Sequence, residues 1–235
     1  MSTYLQLCVK TGRESGTMAG TNITSVVNQI GRELKVVNYV ADAWTQIQNL
    51  HAGWRWMRSE FPSTAVTVSG TARYTAASWS ITDLAEWIPD TEAEPDNVSI
   101  YKQSTGVSDE GRIEYIDFST WRRLYDRGTQ TNARPTHWSI SPDNEFCLGP
   151  IPDAVYVVNG LYRETPQVLA LNGDTPNCPA RFHDIIVWKA VQMLNEHDEA
   201  AVPLIVTANA KYNAFLADLR RDQLPRITIG SAPLA

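Results

Sequence analysis

Between residues 31 and 54, Val36, Val40, Ala43, Ile47, Leu50 and Trp54 recur at steps of 4, 3, 4, 3 and 4. That spacing predicts one long amphipathic helix from about Gly31 to about Gly53, roughly 33 Å in length. Its apolar seam requires one or two partner helices. The sequence just upstream offers little. Thr3 is placed to cap a short helix that begins YLQLCVK and ends near Gly12. The following TGRESGTMAGTN is rich in Gly, Ser and Thr and reads as a loop. Its glycines are evenly spaced, but no Lys-Ser/Thr pair follows, so a phosphate-cradling loop is not expected.

The partners lie at the other end of the chain. RFHDIIVWKAVQMLNEHDEAA, starting at Arg181, is apolar almost all round, as a central helix requires. Pro203 then suits the first turn of a last helix, along which Ile205, Ala208, Tyr212, Phe215 and Leu219 repeat the 3-4 spacing. Arg220 and Arg221 sit favourably near its C-terminus. The bundle therefore closes only when residues distant in sequence meet.

Between these ends the texture changes. TAVTVSGTARYTA, NVSIYK, GRIEYID, THWSI, EFCLG and AVYVVNGLYRE are short, β-branched and aromatic, with turn residues between them. SISPDNEFCL reads as a hairpin about Pro142, Asp143 and Asn144. One short helix, STWRRLYDRG, interrupts, with Ser119 as its expected cap and Gly128 as its stop. The expected fold is α+β. Residues 1–62 and 180–222 form the two halves of a helical bundle, 63–179 an inserted β-rich module with one short helix, and 223–235 an extended tail. In that tail Ile227 and Ile229 alternate with Arg226 and Thr228, a strand pattern without a partner in the bundle.

The charge and chemistry of the chain exclude several classes. Its formal net charge of −6 gives no global reason to attract nucleic acid, and the same sign suits a surface past which DNA slides. No apolar run approaches the roughly 20 residues that span a bilayer, so no membrane is expected. No secretory signal is expected either, since MSTYLQLCVK lacks a basic segment followed by an apolar one. Cys8, Cys147 and Cys178 are odd in number and scattered, which is neither a disulfide framework nor a paired-cysteine metal site. There is no nucleophile elbow, no HExxH and no dinucleotide fingerprint, so no catalytic residue and no cofactor are expected. His183 and His197 share the expected central helix on similar faces but stand about 21 Å apart along it, too far to ligate one ion. Asp90, Glu92, Glu94 and Asp96 alternate like the start of a calcium loop. Pro95 and Tyr101 occupy the positions where such a loop needs glycine and a bidentate glutamate, leaving an exposed acidic loop. Nucleic-acid readout has two candidates, the corner Trp54–Arg58 and the stretch Trp121–Arg127. Each is local, and arginine stems lying over aromatic rings at a packed corner explain both.

The order of features resembles the head-to-tail adaptor proteins of tailed bacteriophages, over roughly residues 3 to 225. The most specific pieces are DAWTQIQ followed by the W-x-W of Trp54 and Trp56, SISPDNEF with IPDAVYVVNGLYRETPQVL, and RFHDIIVWKA after a proline. The resemblance implies a non-enzymatic structural protein of the virion neck, assembled in the host cytoplasm. It implies a ring of copies, usually twelve, beneath the portal protein. The ring meets a tail nozzle or tail-tube protein on its lower face, and genomic DNA passes through without specific binding. It also implies a C-terminal tail that docks on the portal; the matching residues here are Leu224, Pro225, Arg226, Ile227, Thr228 and Ile229. A stopper, terminator or nozzle component, and a DNA-binding protein, are the rival functions. Trp54 lies on the seam, whereas Trp56 falls about 200° from it if the helix continues. Trp56 is therefore expected to fold onto the β module or, with Arg55 and Arg58, to meet the next subunit.

Overall fold

A computed structural model describes residues 1–16, 23–89, 97–197 and 202–224, the side chains of 202 and 203 excepted. Among these residues the helices are α1 (Tyr4–Glu14), α2 (Gly31–Asn49), α3 (Phe118–Tyr125), α4 (Asp184–His197) and α5 (Val202–Gln223). The strands are β1 (Arg58–Glu60), β2 (Arg73–Tyr74), β3 (Leu84–Trp87), β4 (Ser99–Lys102), β5 (Gly111–Arg112), β6 (Glu114–Tyr115), β7 (His137–Ile140), β8 (Phe146–Gly149), β9 (Tyr156–Asn159) and β10 (Leu161–Glu164). The fold is α+β, as the residue patterns predict. The chain divides into a helical unit, Met1–Met57 with Pro166–Ala235, and a β unit, Arg58–Thr165.

In the helical unit α4 is central and packs against α1, α2 and α5. It buries Ile185, Ile186, Val187, Ala190, Val191 and Leu194, which accounts for its all-round apolar surface. The seam of α2 behaves as its period requires at Val36, Val40, Ala43 and Ile47, all fully buried. Leu50 departs from it and is 41% exposed. The helix stops at Asn49 instead of Gly53, so Leu50 swings outward and the chain folds back. Trp54 then reaches the core from a turn, not from the helix. Two reciprocal cation–π contacts lock α4 to α5: Lys211 lies 3.7 Å above the Trp188 ring, and Lys189 5.2 Å above Tyr212.

Thr3 caps α1 as expected, in a full capping box with Gln6. Helix α1 runs on to Glu14, two residues past Gly12. His183 differs from expectation. It precedes α4, at the end of a short 3₁₀ turn, and does not share a helix with His197. Its ring is buried, with Nδ1 accepting from the Ser2 amide at 3.1 Å and Nε2 facing the Cys178 carbonyl at 3.2 Å. Burial pushes its pKa below the usual histidine value. The folded state therefore binds the proton less readily than the unfolded chain. The stability this contributes is full above about pH 6.5 and is lost as pH falls through that range. His183→Gln is expected to lower the urea midpoint at pH 7.5 but to reduce its change between pH 7.5 and 5.5. An unchanged difference between the two midpoints would count against this.

The unit boundaries fall at 57/58 and 165/166, where the sequence pattern placed them at 62/63 and 179/180. Residues 166–179 belong with the helices because their polar groups are fastened there. Gln48 Nε2 donates to the Gln167 carbonyl at 3.0 Å, and the Gln167 amide donates to Gln48 Oε1 at 2.7 Å. Asp174 offers its carbonyl to the Tyr4 amide at 2.7 Å. Leu169 and Cys178 complete the core.

Among the described residues the β unit holds three small sheets, ordered β1-β10-β3, β2-β8-β7-β6 and β5-β4-β9. The β7–β8 hairpin turns where expected, with Asn144 in the left-handed region at φ 58°. The stretch TAVTVSGTARYTA yields only β2 and an isolated bridge from Val66 to Val157. Helix α3 is capped by Asp117, not Ser119. The Asp117 carboxylate accepts from the Ser119 hydroxyl at 2.6 Å and from the amides of Ser119 at 2.9 Å and Thr120 at 3.2 Å; these bonds, the hydroxyl's above all, lower its pKa to about 2. An aromatic cluster of Phe61, Trp79, Trp87, Trp138 and Phe146 fills the core. Gly149 has to be glycine, because a side chain there would run into the Tyr125 ring.

Candidate docking corner

The tryptophans of residues 44–56 form a stack inside the helical unit. Trp44 and Trp54 are fully buried, and their indole N–H groups donate to Gln167 Oε1 at 3.2 Å and to the Ile47 carbonyl at 3.0 Å. Trp56 lies in a 3₁₀ turn, Arg55–Met57, that follows α2. It stacks on Trp54 at 4.5 Å and on Trp44 at 6.3 Å and packs on the helical core. Its indole nitrogen is buried with no hydrogen-bond partner among the described residues.

The three residues named together at this corner part company. Arg55 is exposed and stays with Trp56, whereas Arg58 opens β1 opposite Arg163 and belongs to the β unit. The helical corner instead gathers residues from far along the chain. Arg220 Nε lies 2.9 Å from His51 Nε2. Burial and this guanidinium hold the His51 pKa below its usual value, so the imidazole is neutral and accepts. Arg181 is ion-paired with Asp222, and Arg221 with Asp218 at 3.3 Å. Bonds from Arg181 and Gln223, with the nearby charge of Arg55, hold the Asp222 carboxyl below the usual range. A cleft lined by Arg181, Phe182, Asp218, Arg221 and Asp222 opens here.

This is also where α5 ends. The helix runs through Gln223, so the expected tail begins later than residue 223. The Leu224 amide donates to the Arg220 carbonyl at 3.0 Å, and its side chain packs on the helical core. The structure thus places Arg55 within electrostatic reach of Asp222, two residues before Leu224. Pro225, Arg226, Ile227, Thr228 and Ile229 lie outside the described residues, as do Asp90, Glu92, Glu94 and Asp96. The sequence singles out Arg220 at the end of the last helix but not Arg181, because the approach of the two is a matter of tertiary structure.

The second basic stretch offers no platform for bases. Trp121 is buried, and the Arg73 guanidinium sits 5.4 Å from its ring and 5.7 Å from Phe118. Cys8, Cys147 and Cys178 are buried thiols raised to about 12, which is unreactive at neutral pH. Among the described residues no cluster of three or more His, Cys, Asp or Glu is placed to hold a metal ion. Also among them, no helix is long and apolar enough to cross a membrane. The corner offers several cations around a cleft close in sequence to Leu224, the last described residue.

The family model described as SU10 adaptor protein matches residues 2–234. No curated protein matches the chain.

Proposed function

The chain belongs to the SU10 adaptor protein family, and we propose that it works as a bacteriophage head–tail connector, a ring of copies that joins the portal protein to the tail. In this reading about twelve copies assemble beneath the portal, in the neck of the virion, after synthesis in the host cytoplasm. Their lower face meets a tail nozzle or tail-tube protein. Genomic DNA passes through the lumen without specific binding, and no covalent chemistry is involved. The observation that carries the reading is the extent of the family match, which takes in both units and the tail. Two structural features support it. In the chain's two aromatic-basic stretches Trp54 and Trp121 are buried, so neither of these rings is open to stack on a base. The tail leaves from an exposed, charged corner suited to contact with another chain.

The test is to mix the full-length protein with purified portal and count bound copies by electron microscopy or mass photometry. A stoichiometric ring on the portal is expected, and a protein that stays monomeric and ignores the portal sinks the proposal. Truncation after Leu224 separates docking from folding. Among the described residues the last core contacts belong to Leu219 and Leu224, and the truncated chain is expected to melt within about 2 °C of the full one and to lose portal attachment. Insoluble or unfolded truncated protein would contradict the assignment of the tail to docking.

A further inference from the structure

Four of the helical unit's eleven Lys and Arg side chains meet at one corner. Arg181 is ion-paired with Asp222, Arg55 lies within electrostatic reach of the same carboxylate, and Arg181 and Arg221 line one cleft. Arg220 joins them from the last turn of α5. The helix dipole accounts for Arg220 and Arg221, but not for Arg55 and Arg181, which arrive from other segments. Two carboxylates, Asp218 and Asp222, stand against these four guanidinium groups. Arg220 donates its Nε–H to the neutral His51, and Arg55 has no ion-pair partner among the described residues. The groups are fixed and yet open. Arg181 lies 4.7 Å from the Phe182 ring, and His51, which holds Arg220, rests edge-on against Trp54 at 4.9 Å. The side chains of Arg181 and Arg221 are nevertheless 63% and 77% exposed, and Arg55 and Arg220 are exposed too. Guanidinium groups held this way lose little freedom when a ligand takes them.

We propose that this arginine corner is the docking site for an acidic polypeptide segment of the portal protein. The inference rests on the connector reading above. Fixed guanidinium groups suit carboxylates, each of which they can grip through two parallel N–H···O bonds. Duplex DNA suits the corner less. Its charge repeats every ~1.7 Å along the axis and calls for a basic stripe, whereas here Asp218 and Asp222 stand among the arginines. A second copy of the chain also suits it less. In the β unit Glu86, Asp109 and Asp126 are already ion-paired with arginines, and Asp83 and Asp153 accept tyrosine hydroxyls. That leaves a copy few adjacent carboxylates to offer among its described residues. The place of the corner in the chain selects the portal. A partner that holds the five residues after Leu224 lies within about 18 Å of the last turn of α5, at about 3.6 Å per extended residue. The portal, which takes the tail in the reading above, therefore comes up against the corner. A contact of this kind is steered by charge and weakens with salt.

Full-length protein and purified portal test the proposal. One variant carries Arg55→Glu with Arg221→Glu, and a second Arg55→Gln with Arg221→Gln. Thermal melts establish that each is folded, and the Gln pair stands alone if the Glu pair is not. Portal affinity is read by biolayer interferometry at low and at physiological salt. Wild type is expected to bind about five-fold more weakly at the higher salt. At low salt the Glu pair is expected to weaken attachment about ten-fold or more and the Gln pair about three-fold, and both to flatten the salt response. Unchanged portal affinity in a folded variant overturns the proposal. So does a variant that keeps its portal affinity but no longer self-associates in sedimentation velocity, or no longer binds duplex DNA at low salt, because the corner then serves that other partner. Wild-type protein that ignores the portal removes the connector reading and the inference with it, whereas portal binding indifferent to these charges removes only the inference.

Discussion

Replacing Trp54 with alanine is expected to destabilise the helical unit by about 3–5 kcal/mol, the range for emptying a large aromatic site in a core. Three losses combine. The indole is fully buried, so its apolar surface and packing go together. The Ile47 carbonyl loses the donor that the indole N–H supplies at 3.0 Å, beside the last turn of α2. Trp56 loses the ring on which it stacks at 4.5 Å, and His51 the one it meets edge-on at 4.9 Å. The last two losses reach the docking corner, since His51 also holds Arg220. Trp54→Ala is therefore expected to impair assembly even where it remains folded. Trp56→Ala empties a half-buried site and should cost clearly less. With an m-value of about 2 kcal/mol/M in urea, the Trp54 variant should unfold roughly 1.5–2.5 M earlier, read by helical circular dichroism. A midpoint within about 0.5 M of wild type would mean that the stack is not part of the core.

What the sequence revealed and what it hid divide along physical lines. The helices of the bundle were legible because a 3.6-residue period leaves a repeating mark where α2 and α5 form, and a long run apolar on every side marks the central α4. Leu50 shows the limit of that mark. It fits the seam, but the helix ends one residue before it, and no glycine or proline announces the stop. The boundary at 165/166 was hidden because Gln48 and Gln167 hold residues 166–179 to the helices through amide bonds, and two glutamines 119 residues apart leave no periodic trace. Strands β1 and β3, at the edges of their sheet, were missed because RSE has no apolar residue and LAEW no β-branched one. The cap of α3 was read two residues late because Asp117 and Ser119 are both good caps, and only geometry chooses between them. The corner was half legible. The arginines of α5 and the Arg55–Trp56 pair each stood out, but their meeting depends on how the bundle closes.

Phe146→Ala should be the most damaging single change in the β unit, at about 3–5 kcal/mol. Phe146 is fully buried on β8, between β2 and β7. It stacks on Trp138 at 4.8 Å and meets Trp79 at 5.0 Å, Trp87 at 5.4 Å and Phe61 at 5.8 Å. Strands this short bring few ladder hydrogen bonds, so side-chain packing has to hold the three sheets together. Removing the ring that touches four others leaves a cavity whose walls are rigid aromatics, and such walls collapse poorly into the gap. Phe146→Leu refills part of the volume and is expected to cost about 1–2 kcal/mol, with the remainder reflecting lost ring–ring contacts. Four of the eight tryptophans, Trp79, Trp87, Trp121 and Trp138, belong to the β unit. Near-ultraviolet circular dichroism should therefore lose intensity in the alanine variant before its helical signal changes. Equal stability of the alanine and leucine variants would show that the strands, and not this aromatic cluster, hold the β unit together.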